Sequence, residues 1–202
     1  MTFDDMLRGA QAEAQGIEDG SDGDLFDCRP HLRRALSEEW PRLNGLTFRI
    51  IRALDAIGVK LAVRELDPKG EMGGFWDPRE RLVVLGDDVW THPGMRCFIL
   101  CHEFHHVVDP NPESVGWLLS TVDPLAFDRV IRRNEIVINA ATAMTASHYG
   151  FPTLAKPSSL MVAALCWGSR IPFDPSVARE RAEQVHRAAV KAIDQAMKGI
   201  RR

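Results

Sequence analysis

The tightest constraint on this chain is a run that opens at Thr91-His92-Pro93-Gly94 and closes at Asp109-Pro110-Asn111-Pro112. Proline is tolerated in the first turn of a helix and breaks it further on. A helix is therefore predicted from about Pro93 to Val108, with Thr91 as its cap. Phe98, Ile99, Leu100, Phe104, Val107 and Val108 spread apolar surface nearly all round it, and such a helix belongs in the middle of a domain. The same run holds His102-Glu103-Phe104-His105-His106. Histidines at i and i+4 project from one face, so both imidazoles can reach one ion. Glu103, three residues before His106, can approach a water beside that ion without being a ligand. The competing reading is a pair of core histidines satisfied by hydrogen bonds.

Two histidines do not complete a protein zinc site, and two carboxylates are candidates for the third ligand. Asp109 lies three residues beyond His106 and can turn toward the ion. Glu135 opens a second helical pattern, Arg132 to Ala146, whose polar stripe continues through Asn139 and Thr142. Residues 136–146 contain no ionisable side chain, so a carboxylate at the entry of that helix needs solvent or a partner. Zinc would be that partner. The plainer account is a first-turn Glu favoured by the helix dipole. If Glu135 is the ligand, Asp109 orients a ligand histidine or ends its helix.

Around these two helices the pattern is helix-rich. Residues 3–15 read as a short helix, and Gly16 to Asp24 as an acidic linker. Pro30 to Trp40 reads as a helix stopped by Pro41, and Leu46 to Ile57 as another, ended by Gly58. Val59 to Leu66 alternates as a strand, and Arg81 to Leu85 is a second, closed by Gly86-Asp87-Asp88. With Phe75-Trp76 and the Asp77-Pro78-Arg79-Glu80 turn they suggest a small antiparallel pair or triplet. Ser158 to Trp167 reads as a buried helix, and Ser176 to about Lys198 as an amphipathic one behind Asp174-Pro175. The expected class is α+β, with a small sheet preceding the central helix. The expected organisation is an N-terminal extension (1–29), a main domain (30–168) and a C-terminal helical extension (169–202).

Composition excludes several classes. The 202 residues carry 25 Lys plus Arg against 28 Asp plus Glu, a formal charge of −3. That balance gives no support for direct nucleic-acid binding. No apolar run approaches the length of a membrane span, and the first residues lack a signal-peptide pattern. Cys28, Cys97, Cys101 and Cys166 form no C-x-x-C pair and read as free thiols in a reducing compartment. A cytoplasmic location is the expectation. Nothing in the chain fixes an oligomeric state.

The segments Phe98-Ile99-Leu100-Cys101-His102-Glu103-Phe104-His105-His106 and Glu135-Ile136-Val137-Ile138-Asn139-Ala140-Ala141 together resemble the ImmA/IrrE-type metallopeptidases. Their signature is approximately R-F-T-L-A-H-E-L-G-H followed by E-A-N-x-F-A-A-x-L-L-M-P. The upstream GFWDPRERLVVLGDD is similar to the strand that precedes the family's metal helix, and the likeness spans about residues 50–150. It implies a minimal zincin fold with a three-stranded sheet. It also implies one Zn2+ held by His102, His106 and Glu135, with Glu103 as general base and acid. Members cut a protein substrate, a helix-turn-helix repressor of mobile-element or stress-response genes. In this chain His105 stands where the family has Gly, hydrophobic residues replace the Asn after the third ligand, and Thr145-Ala146 replaces Met-Pro.

His105 is expected either at the rim of the cleft or in a core hydrogen bond. His148 and Tyr149 are candidates for stabilising a developing oxyanion, but they reach the metal only if the chain reverses near Gly150. The leading function is zinc-dependent endoproteolysis. The alternative is a non-catalytic interaction module whose metal is structural, with Asp109 or His105 as a fourth ligand.

Overall fold

The computed structural model describes residues 1–18, 40–66, 73–110, 124–154, 158, 162 and 174–199. The Pro30–Trp40 helix, most of the acidic linker and most of the Ser158–Trp167 helix fall outside the described residues. Helix α1 (Phe3–Glu18) precedes α2 (Trp40–Ala56). Pro41 lies in the first turn of α2, so the helix expected from Leu46 begins earlier, at Trp40. A first-turn residue has no intrahelical acceptor for its N–H, so proline loses nothing there. Leu43, Leu46, Ile50, Ala53 and Leu54 form the buried face of α2. Gly58, at φ +72°, ends it, and Val59 N–H returns to Leu54 O at 2.9 Å. The Arg81 guanidinium donates to the exposed carbonyls of Ile57 and Gly58.

Strands β1 (Lys60–Arg64), β2 (Gly74–Asp77) and β3 (Leu82–Gly86) form one sheet in the order β1-β3-β2. The expected all-antiparallel arrangement is corrected to a mixed one. β1 runs parallel to β3, with Leu61 opposite Val83, and β2 runs antiparallel to it, with Phe75 opposite Val84. Val83, Val84 and Leu85 are buried in succession, the mark of a central strand covered on both faces. The β2–β3 turn is fixed by Asp77, whose Oδ1 accepts from the N–H groups of Arg79 (2.9 Å) and Glu80 (3.1 Å).

Gly86-Asp87-Asp88 does not merely close β3, since Asp87–Thr91 forms the short helix α3. Helix α4 (Pro93–Val108) follows at once and is capped by His92, not Thr91. His92 Nδ1 accepts from Met95 N–H at 3.2 Å, whereas Thr91 Oγ1 is turned back to Asp88 O inside α3. Helix α5 (Pro124–His148), a 3-10 turn (Pro152–Leu154) and α6 (Pro175–Lys198), capped by Asp174, complete the described elements. This is an α+β fold of minimal zincin-like form, with a small mixed sheet preceding the His102-Glu103-x-x-His106 helix. Among the described residues no helix is long and apolar enough to cross a membrane.

The apolar interior is divided in two. One part gathers α2, the sheet, most of α4 and the later turns of α6 (Ala189, Ile193). The other gathers α1, most of α5 and the earlier turns of α6 (Ala178, Ala182, Val185). Helix α6 therefore contributes to both and packs on α5, α2 and α4. Where α4 meets α5, between the two apolar regions, the facing side chains are polar. The candidate site lies along that seam.

Candidate metal centre

Helix α4 presents His102 and His106 on one side, with Nε2 atoms 3.2 Å apart. Glu135 comes from α5 and straddles them, Oε2 at 3.1 Å from His102 Nε2 and Oε1 at 3.2 Å from His106 Nε2. A tetrahedral ion with bonds of about 2.0–2.1 Å sets its ligand atoms about 3.3 Å apart, so these spacings match the edges of such a site. Two imidazole nitrogens facing each other this closely need a proton or a cation between them. The donor set, two neutral nitrogens and one carboxylate, is that of catalytic zinc sites, which keep a fourth position open. The side chains of His102, His106 and Glu135 are 12, 19 and 26% exposed, so the centre is mostly buried but keeps some contact with solvent.

The geometry also disposes of the plainer account of Glu135. Helix α5 begins at Pro124, so Glu135 sits near its middle rather than in its first turn. The helix dipole offers a carboxylate little there. Its charge is held by its neighbours instead. Burial works against ionisation, but His102 and His106 keep the Glu135 carboxyl well below the usual carboxylate range. Burial likewise opposes charge on His106, yet the Glu135 carboxylate outweighs it and raises that imidazole to about 9.

Glu103 lies beside the ligand cluster, near enough to His102, His106 and Glu135 to feel their charges, and also meets the sheet. It is 6% exposed, and its carboxylate accepts a hydrogen bond from the Trp76 backbone N–H on the edge strand β2. Burial raises its pKa, with His102 and His106 pulling it down and Glu135 pushing it up. That close approach depends on Gly74. A Cβ there would lie 2.8 Å from Val84 O and 2.9 Å from Ile99 Cγ2, so only glycine lets β2 lie so near α4.

His105 is buried in the core and not at the rim. Its Nδ1 lies 2.6 Å from the Cys101 carbonyl oxygen, which only accepts, so this nitrogen carries the hydrogen. Nε2 then accepts from the Thr145 hydroxyl at 2.8 Å, leaving Thr145 Oγ1 to accept from His186 Nδ1–H at 2.9 Å. Thr142 Oγ1 lies 3.3 Å from His105 Nδ1 and shares its hydrogen. Burial pushes His105 down to about 3 and His186 to about 4, so both rings are neutral. Both His105 nitrogens are thus engaged away from the ion.

Asp109 is the C-cap of α4. Its side chain, 2% exposed, meets Arg181 Nη2 at 3.3 Å. Among the described residues the ligand cluster has three members, His102, His106 and Glu135, and neither Asp109 nor His105 joins it. His148 and Tyr149 stay distant. Helix α5 runs without a break to His148, which carries them about 20 Å along its axis from Glu135. The Tyr149 hydroxyl instead donates to Asp194 Oδ1 on α6 at 2.9 Å, and His148 packs edge-on to His186. Cys97 and Cys101 are buried free thiols.

Sequence reasoning did not single out Thr145, Asn134, Arg181 or the Trp76 amide. Thr145 continues the polar stripe of α5 one turn beyond Thr142, a signal that was available. Arg181 looks like any solvated charge on an amphipathic helix, and a backbone N–H has no signature. Comparisons with protein-family models, curated proteins and solved structures find no match to this chain. The His-Glu-x-x-His run with its distal Glu is a zincin-type metal-binding motif.

Proposed function

We propose that this chain is a zinc-dependent endopeptidase of the ImmA/IrrE type. The observation that carries the reading is a partly exposed set of three ligands, His102, His106 and Glu135, with a buried carboxylate one residue from the first. When bound, the ion supplies Lewis acidity toward a peptide carbonyl and makes a nearby water acidic. Glu103 takes the proton from that water and delivers it to the leaving amine. The Trp76 amide holds the Glu103 carboxylate in place while it does so. Strand β2, at the edge of the sheet beside α4, offers a ladder on which an extended substrate aligns as an added strand.

The substrate class follows from the family resemblance: a helix-turn-helix repressor met in the cytoplasm. The near-neutral charge favours this protein partner over direct contact with nucleic acid. A purely structural metal is disfavoured because His105 and Asp109, its candidate fourth ligands, are committed elsewhere.

The test is cleavage of a repressor encoded beside this gene by the native chain and by Glu103→Gln. Glu103→Gln is expected to keep its metal and to lose about 10²- to 10⁴-fold in rate, the usual worth of a general base. Undiminished cleavage by that variant removes Glu103 from the chemistry.

A further inference from the structure

Resting on the metal-site reading above, we propose that Arg181 is a positioning residue that sets the separation of the two ligand-bearing helices. Arg181 Nη2 lies 3.3 Å from Asp109 Oδ2 and 3.0 Å from Asn134 Oδ1. Asp109 is three residues beyond His106 on α4, and Asn134 immediately precedes Glu135 on α5. One nitrogen of α6 thus ties together the two backbone segments on which His106 and Glu135 depend.

The placement of Asp109 explains why a cation belongs here. A carboxylate at a helix C-terminus faces the negative end of the helix dipole. Asp109 is moreover almost wholly out of solvent, where an uncompensated charge is strongly unfavourable. The guanidinium offsets both effects, and its rigid planar fork can serve an amide oxygen at the same time. Removing it takes away this cationic partner of Asp109 and loosens α4 at the end that carries His106.

Helix α6 holds a second, separate junction of the same kind. His186 reaches His105 of α4 through Thr145 of α5. Two residues of α6, each joining α4 to α5, keep the polar seam between the two apolar regions at the width the ligands need. The C-terminal helix is therefore part of the metal centre without touching the ion.

The experiment compares Zn2+ affinity, by competition with a chromophoric chelator, and the visible spectrum of the Co2+-loaded protein. It uses the full chain, Arg181→Met, Arg181→Lys, Asn134→Ala and Val185→Ala. Val185 is buried on the same helix but lies outside the junction, so Val185→Ala loosens α6 without releasing Asp109. Arg181→Met is expected to weaken Zn2+ binding about 10- to 100-fold, as loss of an outer-sphere partner does, and to change the Co2+ spectrum. Asn134→Ala should shift both in the same direction, Arg181→Lys should recover part of the loss, and Val185→Ala should lower thermal stability alone. Native affinity and spectrum in both Arg181→Met and Asn134→Ala overturn the proposal, as does an equal loss in Val185→Ala. A native chain that takes up no metal overturns the metal reading itself, and this inference with it.

Discussion

Glu135 Oε1 lies 3.2 Å from His106 Nε2, although the two side chains come from different helices and meet on the polar seam between the two apolar regions. An anion at this point, half out of solvent between two imidazoles, is stabilised by positive charge and by little else nearby. Replacing it should therefore cost metal binding first. Glu135→Gln keeps the shape and removes the charge, and it should weaken Zn2+ binding by more than about 100-fold, beyond the usual cost of an outer-sphere loss. Chelator competition measures this directly.

The same pair dictates a pH dependence. In the metal-free chain His106 titrates near 9 rather than 6.5. Its folded-state value is raised, so the His106–Glu135 interaction stabilises the metal-free fold fully below about 6.5 and is lost as pH rises through about 9. Metal binding displaces that proton. Below about 9 the apparent Zn2+ affinity should thus fall about tenfold per pH unit, with about one proton released per ion from this site. Calorimetry in buffers of different ionisation enthalpy counts the proton, and an affinity independent of pH would refute the assignment.

Thr145→Val tests the buried chain from His105 to His186. Valine fills the same space but leaves His105 Nε2 and His186 Nδ1 without their shared partner. An unsatisfied buried polar group costs about 1–3 kcal/mol, so urea unfolding should move by that amount. The same chain joins α4 to α5, so Zn2+ affinity should fall as well, but by less than in Arg181→Met, because Cys101 O still holds His105.

Gly74→Ala tests the approach of β2 to α4. The added methyl would press on Val84 O, Ile99 and Leu85, and overpacking of this kind costs about 1–3 kcal/mol. The strand should move outward, away from Glu103. A loss of stability by thermal melting, with metal content retained, is the expected result.

Local patterns were legible in the sequence, and long-range ones were not. The His102–His106 spacing and the apolar flanks of α4 announce a buried metal helix, because both depend only on helical periodicity. Glu135 stands out because no ionisable side chain follows it through residues 136–146. Its helix begins earlier than expected, however, since the turns before Arg132 have no clear apolar stripe. The strand order β1-β3-β2 was not readable, because a parallel pairing joins strands that the sequence separates with β2. Thr91 was misplaced by one element, since it ends α3 and its neighbour His92 caps α4. Arg181 was invisible because its partners are on other helices, and nothing in its own neighbourhood distinguishes it from Arg179 or Arg187.

The central claim is one divalent ion held by His102, His106 and Glu135, and metal content by mass spectrometry after dialysis against Zn2+ tests it most directly. The native chain and Glu103→Gln should each retain one equivalent, while Glu135→Gln and His106→Ala should retain almost none. A native chain without bound metal, or a Glu135→Gln chain that keeps a full equivalent, would contradict it.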